Sequence, residues 1–590
     1  MPYARKLRDP GTGERSRRMA RKTVEVETTG QAYLELLRER GIDYFFANAG
    51  TDFAPLIDGF ARFAEQGKET PRPITVPHEN AAVAMAHGYY MVTGKPQVVM
   101  VHVNVGTGNA INGIINAARD HVPIIFTAGR TPLTEAGLPG SRNIYIHWAQ
   151  ESFDQAGMLR EYVKWDYELR NATQLEAVVD RALEIAMTEP RGPVYLTLPR
   201  EVLGEPQTEF SMTSPVRRDL GGRLYPDPQS IDAAAEILAA ADHPLIITGT
   251  SGRHAETVAH LVALADSFAI PVVTFGQRYM CFPTDHPLHL GFAPEPLLAT
   301  ADAVLVVDSD VPWFPSVSNP PREGKVIQMG IDPVYSNYPI RSFPCDVSVR
   351  ADSSMAIPML TAALAAHRGA AQDRIAARYE RLTALHDQQR SAWQEALENV
   401  RDDSPLDPQW ITHCINEIKD DDTIIVNEYD LVPTQATFNQ PGTLFGNSPA
   451  GGLGWGLGAA LGAKLAAPDK LVIATLGDGS YMFGNPTPCH FVSQALGVPT
   501  LTVVYNNRVW NAVRRANLGM YPNGWAAKTN NFPLSELQPS PQFEVLVTAS
   551  GGYGERVERA ADVRPALQRA LQAVREEGRQ AVLNMICKHP

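Results

Sequence analysis

Residues 471–507 read LVIATLGDGSYMFGNPTPCHFVSQALGVPTLTVVYNN, and the predicted fold follows from this stretch. Two apolar runs, 471–476 and 500–505, have the length and composition of buried strands. The pattern of 489–496 between them is typical of a helix, and a sharp turn is predicted at Gly477–Ser480. A strand, a helix and a second strand in this order form a βαβ unit with two parallel strands side by side.

Two polar residues stand at the ends of the two predicted strands. Asp478 comes directly after the first strand, and Asn507 follows the second. Because ligands bind at the carboxyl ends of the strands in an open parallel sheet, we expect both side chains at one edge. Carboxylate and amide oxygens suit Mg²⁺, which usually binds substrate phosphates as well. Gly477 and Gly479 would let such phosphates come close to the backbone.

The spacing of these residues resembles a known cofactor motif. Gly-Asp-Gly at 477–479, then 26 residues, then Asn-Asn at 506–507 resembles the motif of thiamine-diphosphate enzymes of the 2-keto acid decarboxylase and acetolactate synthase superfamily. The resemblance covers about residues 28–586 and implies thiamine diphosphate and Mg²⁺ as cofactors. It also implies Asp478, Asn507 and the backbone oxygen of Val509 as metal ligands. The cofactor-binding set implied around the motif is Gly477, Asp478, Gly479, Ser480, Asn507, Val509 and Trp510. The alternative is an ordinary βαβ unit with a glycine turn.

Alternation of apolar runs and helical patterns predicts an α/β protein with parallel sheets covered by helices. The resemblance implies three doubly wound parallel-sheet domains: a pyrimidine-binding domain, a middle domain and a diphosphate-binding domain. We place them at 23–204, 225–365 and 405–590, and the first and third look like copies of one architecture. Residues 366–404 are predicted as a linker helix, polar along 372–399, that bridges domains.

The first 22 residues carry eight Lys or Arg against two acidic residues and no apolar core segment. We interpret 1–22 as a basic disordered tail, with a tail that becomes ordered at a subunit contact as the alternative. The whole chain has 590 residues and a net charge of −13, so no nucleic acid or membrane partner is expected. Its five cysteines are scattered without a CxxC pair, which favours a reducing cytoplasm over a disulfide framework or zinc site.

Glu79 stands at the predicted start of a helix, in Pro77-His78-Glu79-Asn80. The resemblance implies that its carboxylate binds N1′ of the cofactor's pyrimidine and favours the imino tautomer, which takes the proton from C2 of the thiazolium. The alternative is a carboxylate that only stabilises a helix N-terminus.

Residues 450–454, Ala-Gly-Gly-Leu-Gly, resemble the family segment in which a large aliphatic side chain wedges between the two cofactor rings. Leu453 is the corresponding residue here, and the carbonyl of Gly451 would reach the aminopyrimidine. The alternative for Leu453 is a core leucine in a glycine-rich turn.

Residues 101–110, VHVNVGTGNA, resemble the histidine-containing loop of benzoylformate decarboxylases. His102 lies 23 positions after Glu79, as in that family, which implies an acid–base role beside the reacting carbonyl. We expect 104–109 to be a glycine-rich loop. Thr51 stands where that family has a serine contacting the substrate carboxylate. The alternative for His102 is a strand-end histidine that binds only the backbone.

Two departures from that family bear on the reaction. Its second active-site histidine comes from the middle domain, but residues 308–321 contain no histidine. Gln150-Glu151 resembles a pair in acetolactate synthases, which usually bind FAD through a middle-domain Arg-Phe-Asp-Asp run. That run is absent, so FAD is not expected, although Arg253 after Gly252 keeps FAD binding as an alternative.

The resemblance therefore implies a 2-keto acid decarboxylase or carboligase of benzoylformate-decarboxylase type. The alternatives are an acetolactate-synthase-like transferase, a 2-hydroxyacyl-CoA lyase and, more remotely, a non-catalytic homologue that binds the cofactor. The expected partners are a small 2-keto acid, aldehyde or acyl-CoA substrate and further copies of the chain. In the family the active sites lie at subunit interfaces, which implies a homodimer or homotetramer.

Overall fold

The computed structural model describes residues 21–214 and 222–588 of the chain. Three α/β units with parallel sheets follow one another, as predicted. The strands of the first unit are β1 (Arg21–Glu25), β2 (Tyr44–Asn48), β3 (Arg72–Thr75), β4 (Gln97–Val101), β5 (Ile124–Arg130), β6 (Asp166–Glu168), β7 (Val194–Pro199) and β8 (Glu209–Thr213). Its helices are α1 (Thr29–Glu39), α2 (Ala54–Glu65), α3 (Glu79–Thr93), α4 (Val103–Arg119), α5 (Ile146–Ala149), α6 (Leu175–Met187) and α7 (Arg200–Leu203).

The middle unit and the long helix after it follow in the chain. Its strands are β9 (Pro244–Thr248), β10 (Val272–Thr274), β11 (Ala303–Val307), β12 (Lys325–Gly330) and β13 (Val347–Arg350). The helices are α8 (Pro228–Ala240), α9 (Ala255–Phe268), α10 (Glu295–Leu298), α11 (Ser353–Ala365) and the linking helix α12 (Arg368–Val400).

The third unit contains residues 471–507. Its strands are β14 (Ile424–Glu428), β15 (Leu444–Gly446), β16 (Val472–Gly477), β17 (Leu501–Asn506), β18 (Tyr553–Val557) and β19 (Ala581–Ile586). Its helices are α13 (Pro408–Ile418), α14 (Gly456–Ala466), α15 (Asp478–Phe483), α16 (Pro486–Leu496), α17 (Asn511–Met520), α18 (Trp525–Thr529), α19 (Phe543–Leu546) and α20 (Ala560–Arg575).

The first and third sheets have one topology, which confirms the prediction of two copies of one architecture. Their strand orders are β3-β2-β4-β5-β7-β6 and β15-β14-β16-β17-β19-β18, and all neighbours are parallel. Every residue of β16 and β17 is buried, as expected for parallel strands covered on both faces. Successive strands are added on opposite sides of β2 and of β14, so the strand order reverses between β2 and β4 and between β14 and β16, where ligands bind in such sheets.

The boundaries of the first unit differ from the predicted ones. Strand β1 begins inside the predicted tail and pairs antiparallel with β8, which lies beyond the predicted end of the domain at 204. Phe210 and Met212 of β8 are buried against the core of the first unit, so hydrophobic burial holds this ribbon in place. The rest of the predicted tail, residues 1–20, lies outside the described residues.

Helix α12 joins the middle and third units, as predicted for 366–404. Leu382 is buried in the core of the middle unit, and Leu397 in the core of the third. Arg378 donates to the backbone carbonyls of Phe268 at 2.6 Å and Ala269 at 2.9 Å. At the other end of the helix, the carbonyl of Trp393 accepts from the third unit. Among the described residues, none of the helices is both long and apolar enough to cross a membrane.

Helices α3 and α14 pack closely and join the first unit to the third. A Cβ atom at Gly88 would collide with the carbonyl of Ala459, and one at Gly462 with the carbonyl of Met85. Gly458 likewise faces Ala84. These close approaches leave no room for side chains at the three glycines.

Candidate active site

The ends of β16 and β17 meet at Asp478, whose side chain is only 3% exposed. Its Oδ1 accepts from the backbone N–H of Gly479 at 2.7 Å, and its Oδ2 accepts from that of Arg508 at 2.6 Å. Asn507 immediately precedes Arg508 and is also buried. Its Oδ1 accepts from the N–H of Val509 at 3.0 Å. The structure thus brings Asp478 and Asn507 to one edge, as the βαβ prediction requires.

A second carboxylate, which sequence reasoning missed, lies beside Asp478. Asp430 follows β14 and faces the position that a Cβ atom at Gly477 would occupy. Burial raises the pKa of Asp478 to about 6, against the N–H donors that lower it. Burial, and then the charge of Asp478, raise the pKa of Asp430 to about 6. The available signal was a carboxylate close to the end of a strand, because Asp430 comes two residues after β14.

The predicted turn at 477–480 is wrong, because helix α15 starts directly at Asp478. Gly477 has a φ of −67°, which any residue can adopt, so no left-handed turn is formed. Gly479 is needed for packing instead, since a Cβ atom there would collide with the ring of Trp510. The Trp510 ring also lies edge-on to that of Phe483, with centroids 5.8 Å apart. Ser480 is buried in the same short helix.

Glu428 at the end of β14 holds the segment that carries Leu453. Its Oε1 accepts from the N–H of Gly454 at 2.7 Å, and its Oε2 from the N–H of Gly456 at 2.5 Å. Burial raises the pKa of Glu428 to about 7, although these donors lower it. Gly451 has a φ of +65°, a left-handed conformation that favours glycine. Sequence reasoning missed Glu428, because the segment it holds lies about 25 residues further along the chain.

Leu453 is partly buried, and its carbonyl is tied to the first unit. Asn112 donates through Nδ2 to this carbonyl at 2.9 Å. Asn116, one turn further along α4, donates to the carbonyl of Gly452 at 2.7 Å. The Asn112 side chain also lies 3.5 Å from Oδ1 of Asn80, the residue after Glu79. One amide therefore connects the start of α3 with the Leu453 segment.

Glu79 is the first residue of α3 and is 6% exposed. Asn109 donates through Nδ2 to its Oε2 at 3.2 Å. The backbone of Gly106 comes close enough that an added Cβ atom would lie 3.2 Å from Oε1 of Glu79. The predicted loop at 104–109 is therefore wrong: α4 begins at Val103, and Gly106 serves close packing rather than a turn.

His102 directly follows β4 and forms a pair with a buried aspartate. Its Nδ1 lies 2.6 Å from Oδ1 of Asp52, which is 2% exposed. The hydrogen bond to Asp52 raises the pKa of His102, against partial burial, which lowers it. Two glycines make the space: a Cβ atom at Gly50 would collide with the His102 ring, and one at Gly129 with the Asp52 carboxylate. The sequence put Asp52 beside Thr51 but gave no sign of this contact.

Thr51 lies in the 3₁₀ turn Thr51–Phe53 and is exposed. Its Oγ1 is 3.4 Å from Nε2 of His147, a second histidine that sequence reasoning missed. Gln150, three residues later, has its Nε2 3.4 Å from Nε2 of His102. Glu151 instead accepts from Arg130 at 2.9 Å, which gives this residue of the predicted pair a structural contact.

The comparisons with known proteins agree with this architecture. Three profiles of thiamine pyrophosphate enzymes match the chain: the N-terminal TPP binding domain over 27–158, the central domain over 231–360 and the C-terminal TPP binding domain over 430–585. The chain is 27% identical to sulfoacetaldehyde acetyltransferase of Alcaligenes xylosoxydans, over 96% of this chain and 94% of that protein. It is 26% identical to benzoylformate decarboxylase of Pseudomonas aeruginosa, over 93% and 98% of the two chains.

A solved structure shares the fold. The thiamine diphosphate-dependent 4-hydroxybenzoylformate decarboxylase of Rhodococcus jostii matches with a TM-score of 0.75 at 23% identity, over 95% of this chain and 99% of that one. The three profiles together span most of the chain, in the order of its three α/β units. The chain therefore belongs to the thiamine pyrophosphate enzyme family.

Proposed function

We propose that this protein is a thiamine-diphosphate- and Mg²⁺-dependent 2-keto acid decarboxylase or carboligase. The observation that carries the proposal is His102, which is held by a buried carboxylate at the sheet edge where Glu79 begins its helix. An acid–base group at that edge suits a reaction in which a carbonyl oxygen gains and loses a proton.

The residues around Asp478 fit a cation and a diphosphate. Each oxygen of Asp478 accepts one backbone N–H and keeps a lone pair for a metal ion. A cation would favour the charged carboxylate, whose pKa is raised by burial. We propose Mg²⁺ on Asp478, Asn507 and the carbonyl of Val509, with the diphosphate near Gly477, Gly479, Ser480 and Trp510.

The other half of the site fits the rings of the cofactor. We propose that Glu79 binds the pyrimidine, that the carbonyl of Gly451 binds its amino group and that Leu453 keeps the two rings bent. When bound, thiamine diphosphate supplies a nucleophilic carbon beside a cationic ring that takes up electrons. The buried position of Glu79 lets its carboxylate act without competition from water.

His102 and Thr51 have the substrate-facing roles in this proposal. The hydrogen bond to Asp52 raises the pKa of His102, which favours its protonated form, and this form donates a proton to the substrate's carbonyl oxygen as that oxygen gains charge. Thr51 donates its hydroxyl proton to the substrate carboxylate. Both lie in one cluster on the first unit, so one small 2-keto acid could contact both.

Acyl transfer of the acetolactate-synthase or acetyltransferase type is the second candidate. The acetyltransferase relative and the contact between Gln150 and His102 favour it. A 2-hydroxyacyl-CoA lyase is less favoured, because it needs a nucleotide site in the middle unit. The crevice beyond β9 and β11 holds a cavity of about 40 Å³ and is crossed by the ion pair of Arg253 with Glu189 at 3.4 Å.

The test is carbon dioxide release by the purified protein with Mg²⁺ and thiamine diphosphate. Benzoylformate and pyruvate are offered separately, and products are identified by chromatography. We expect release from benzoylformate with formation of benzaldehyde. Acetolactate from pyruvate would instead support the transferase, and no reaction with either would contradict the proposal.

Glu79→Gln is the matched control in this assay. The amide keeps the size of the side chain but cannot hold the negative charge, so turnover should fall by orders of magnitude. Cofactor binding, measured by calorimetry, should stay close to that of the wild type. Measurable turnover that is equal in the variant and the wild type would remove the role proposed for Glu79. No turnover in either protein would favour a non-catalytic homologue.

A further inference from the structure

The 3₁₀ turn Thr51–Phe53 is contacted by two histidines. On one side, Asp52 binds Nδ1 of His102 at 2.6 Å. On the other side, the hydroxyl of Thr51 lies 3.4 Å from Nε2 of His147. His147 is on α5 and is 2% exposed, although it lies in a segment with many exposed apolar residues. Burial of an imidazole in such a segment calls for a reason.

The hydrogen bonds of His147 fix where its proton lies. The backbone N–H of Asn143 donates to Nδ1 at 3.3 Å, so Nδ1 carries no hydrogen in the neutral ring. The proton is then on Nε2, which donates to Oγ1 of Thr51. Because the oxygen of Thr51 accepts this bond, its own O–H is left to donate away from His147, towards the exposed side of the turn.

Charges around His147 favour the neutral ring. Burial lowers the pKa of His147, and the nearby charges of Arg200, Arg142 and His102 lower it further, while Asp52 opposes them. Arg200 donates to the carbonyl of Thr51 at 3.2 Å and to that of Ser141 at 2.9 Å. A cationic ring would also place a second N–H against the Asn143 donor. Only the neutral ring fits this environment.

The opposite holds for His102. Its hydrogen bond to Asp52 raises its pKa, as do the contact with Gln150 and the charge of Glu79. In the charged ring both nitrogens are donors, and Nε2–H lies on the side of Gln150. The Oε1 of Gln150 has no partner among the described residues, so a turned amide could accept this proton.

We propose that His147 is a positioning residue that directs the Thr51 hydroxyl as a donor to the carboxylate of the substrate. The proposal rests on the proposed function and adds a residue and a substrate requirement to it. The chain of donors runs from the Asn143 N–H through His147 to Thr51 and ends at a negatively charged oxygen. Arg200 adds a positive field that favours an anion at this place.

The closing experiment measures binding without turnover. Phenylacetate, a carboxylate without a keto group, is titrated into the full-length protein loaded with thiamine diphosphate and Mg²⁺, and benzyl alcohol is the uncharged probe. We expect Thr51→Val and His147→Phe each to weaken phenylacetate binding by about tenfold, the loss of one hydrogen bond to a charged group. Benzyl alcohol binding should not change.

The double variant separates positioning from simple damage. If His147 acts through Thr51, then Thr51→Val/His147→Phe should bind phenylacetate no more weakly than Thr51→Val alone. Additive losses would overturn the proposal, as would equal phenylacetate binding in His147→Phe and the wild type. His413→Phe, on α13, is the matched control and should bind both probes as the wild type does.

Two further readouts keep the outcomes distinct. Histidine Cε1 hydrogen exchange followed by mass spectrometry should give His147 a lower pKa than His102, and the reverse order would contradict the proposal. With benzoylformate, His147→Phe should raise KM more than it lowers kcat. If the wild type binds phenylacetate but does not turn over benzoylformate, the proposed function is refuted and the role of His147 is still supported. If the wild type does not bind phenylacetate, the role of His147 is refuted.

Discussion

At the scale of single residues, the pairing of His102 with Asp52 is the feature with the clearest dependence on pH. The charged histidine is stabilised in the folded protein, because the hydrogen bond to Asp52 raises its pKa above the ordinary value of 6.5. A raised histidine pKa contributes stability that is fully present below the unfolded-state pKa and is lost as the pH rises through the folded-state pKa.

Asp52→Asn should therefore destabilise the protein more at pH 6 than at pH 9. The amide keeps the size of the side chain and can still accept from His102, but it has no charge to stabilise the imidazolium. Thermal unfolding at both values gives the two differences in Tm. An equal difference at pH 6 and pH 9 would show that the two side chains are not an ion pair.

Asp478 offers a second test at this scale, through ligand-linked stability. A ligand that binds only the folded state raises its stability, by about 2.7 kcal/mol at a concentration of 100 Kd. Thiamine diphosphate with Mg²⁺ should therefore raise the Tm of the wild type. We expect Asp478→Ala to abolish this rise, and EDTA to abolish it in the wild type. A rise of equal size in the variant would exclude Asp478 as a metal ligand.

At the scale of elements, the contact between α3 and α14 depends on glycines. Gly88→Ala places a methyl group against the backbone of Ala459, so the helices must separate, at a cost of about 1–3 kcal/mol. Gly108→Ala is the matched control, because no atom lies within 4 Å of its Cβ position on α4. We expect a lower Tm for Gly88→Ala and an unchanged or higher Tm for Gly108→Ala. Equal shifts would mean that the helices adjust freely.

The elements also show what the sequence could predict. Apolar runs of strand length predicted β16 and β17, and their ends placed Asp478 and Asn507 together. The same pattern could not show that the glycines at 106 and 479 face a side chain at close range, so two loops were predicted where helices begin. A glycine in a turn and a glycine in a tight contact look alike in sequence, and only the neighbouring element separates them.

Contacts between segments that are distant along the chain could not be predicted from the sequence for the same reason. His147 reaches Thr51 only because the segment after β5 folds back over the end of β2. Glu428, at the end of β14, holds the Leu453 segment, which follows the neighbouring strand β15. Neither contact has a local pattern, whereas the roles inferred for Glu79 and His102 came from a motif that keeps its spacing along the chain.

At the scale of the whole molecule, we expect two chains to form each active site. Large apolar side chains are exposed in the first unit on both sides of His147 and in the third unit after Trp510. Exposed apolar surfaces of this kind mark association sites. They include Tyr145, Trp148 and Phe153 in the first unit and Met520, Trp525 and Leu534 in the third.

Mixing two inactive variants tests this expectation. If Glu79 of one chain works with Asp478 of another, a mixed dimer of Glu79→Gln and Asp478→Ala has one intact site of two. Random mixing after dissociation should then restore about a quarter of wild-type turnover. If the dimers are shown to exchange subunits and no turnover is recovered, Glu79 and Asp478 of each site lie on one chain.

Helix α12 limits which insertions, deletions and substitutions the sequence can accept. Each residue of a helix adds about 1.5 Å and turns the next side chain by about 100°. Between Leu382 and Leu397, which are anchored in different cores, the number of residues therefore sets both the separation and the twist of two domains. One inserted alanine would rotate one domain against the other, while seven would keep nearly the same phase and change only the spacing. In this segment the number of residues carries more information than their identity, so substitutions should be tolerated where insertions and deletions are not.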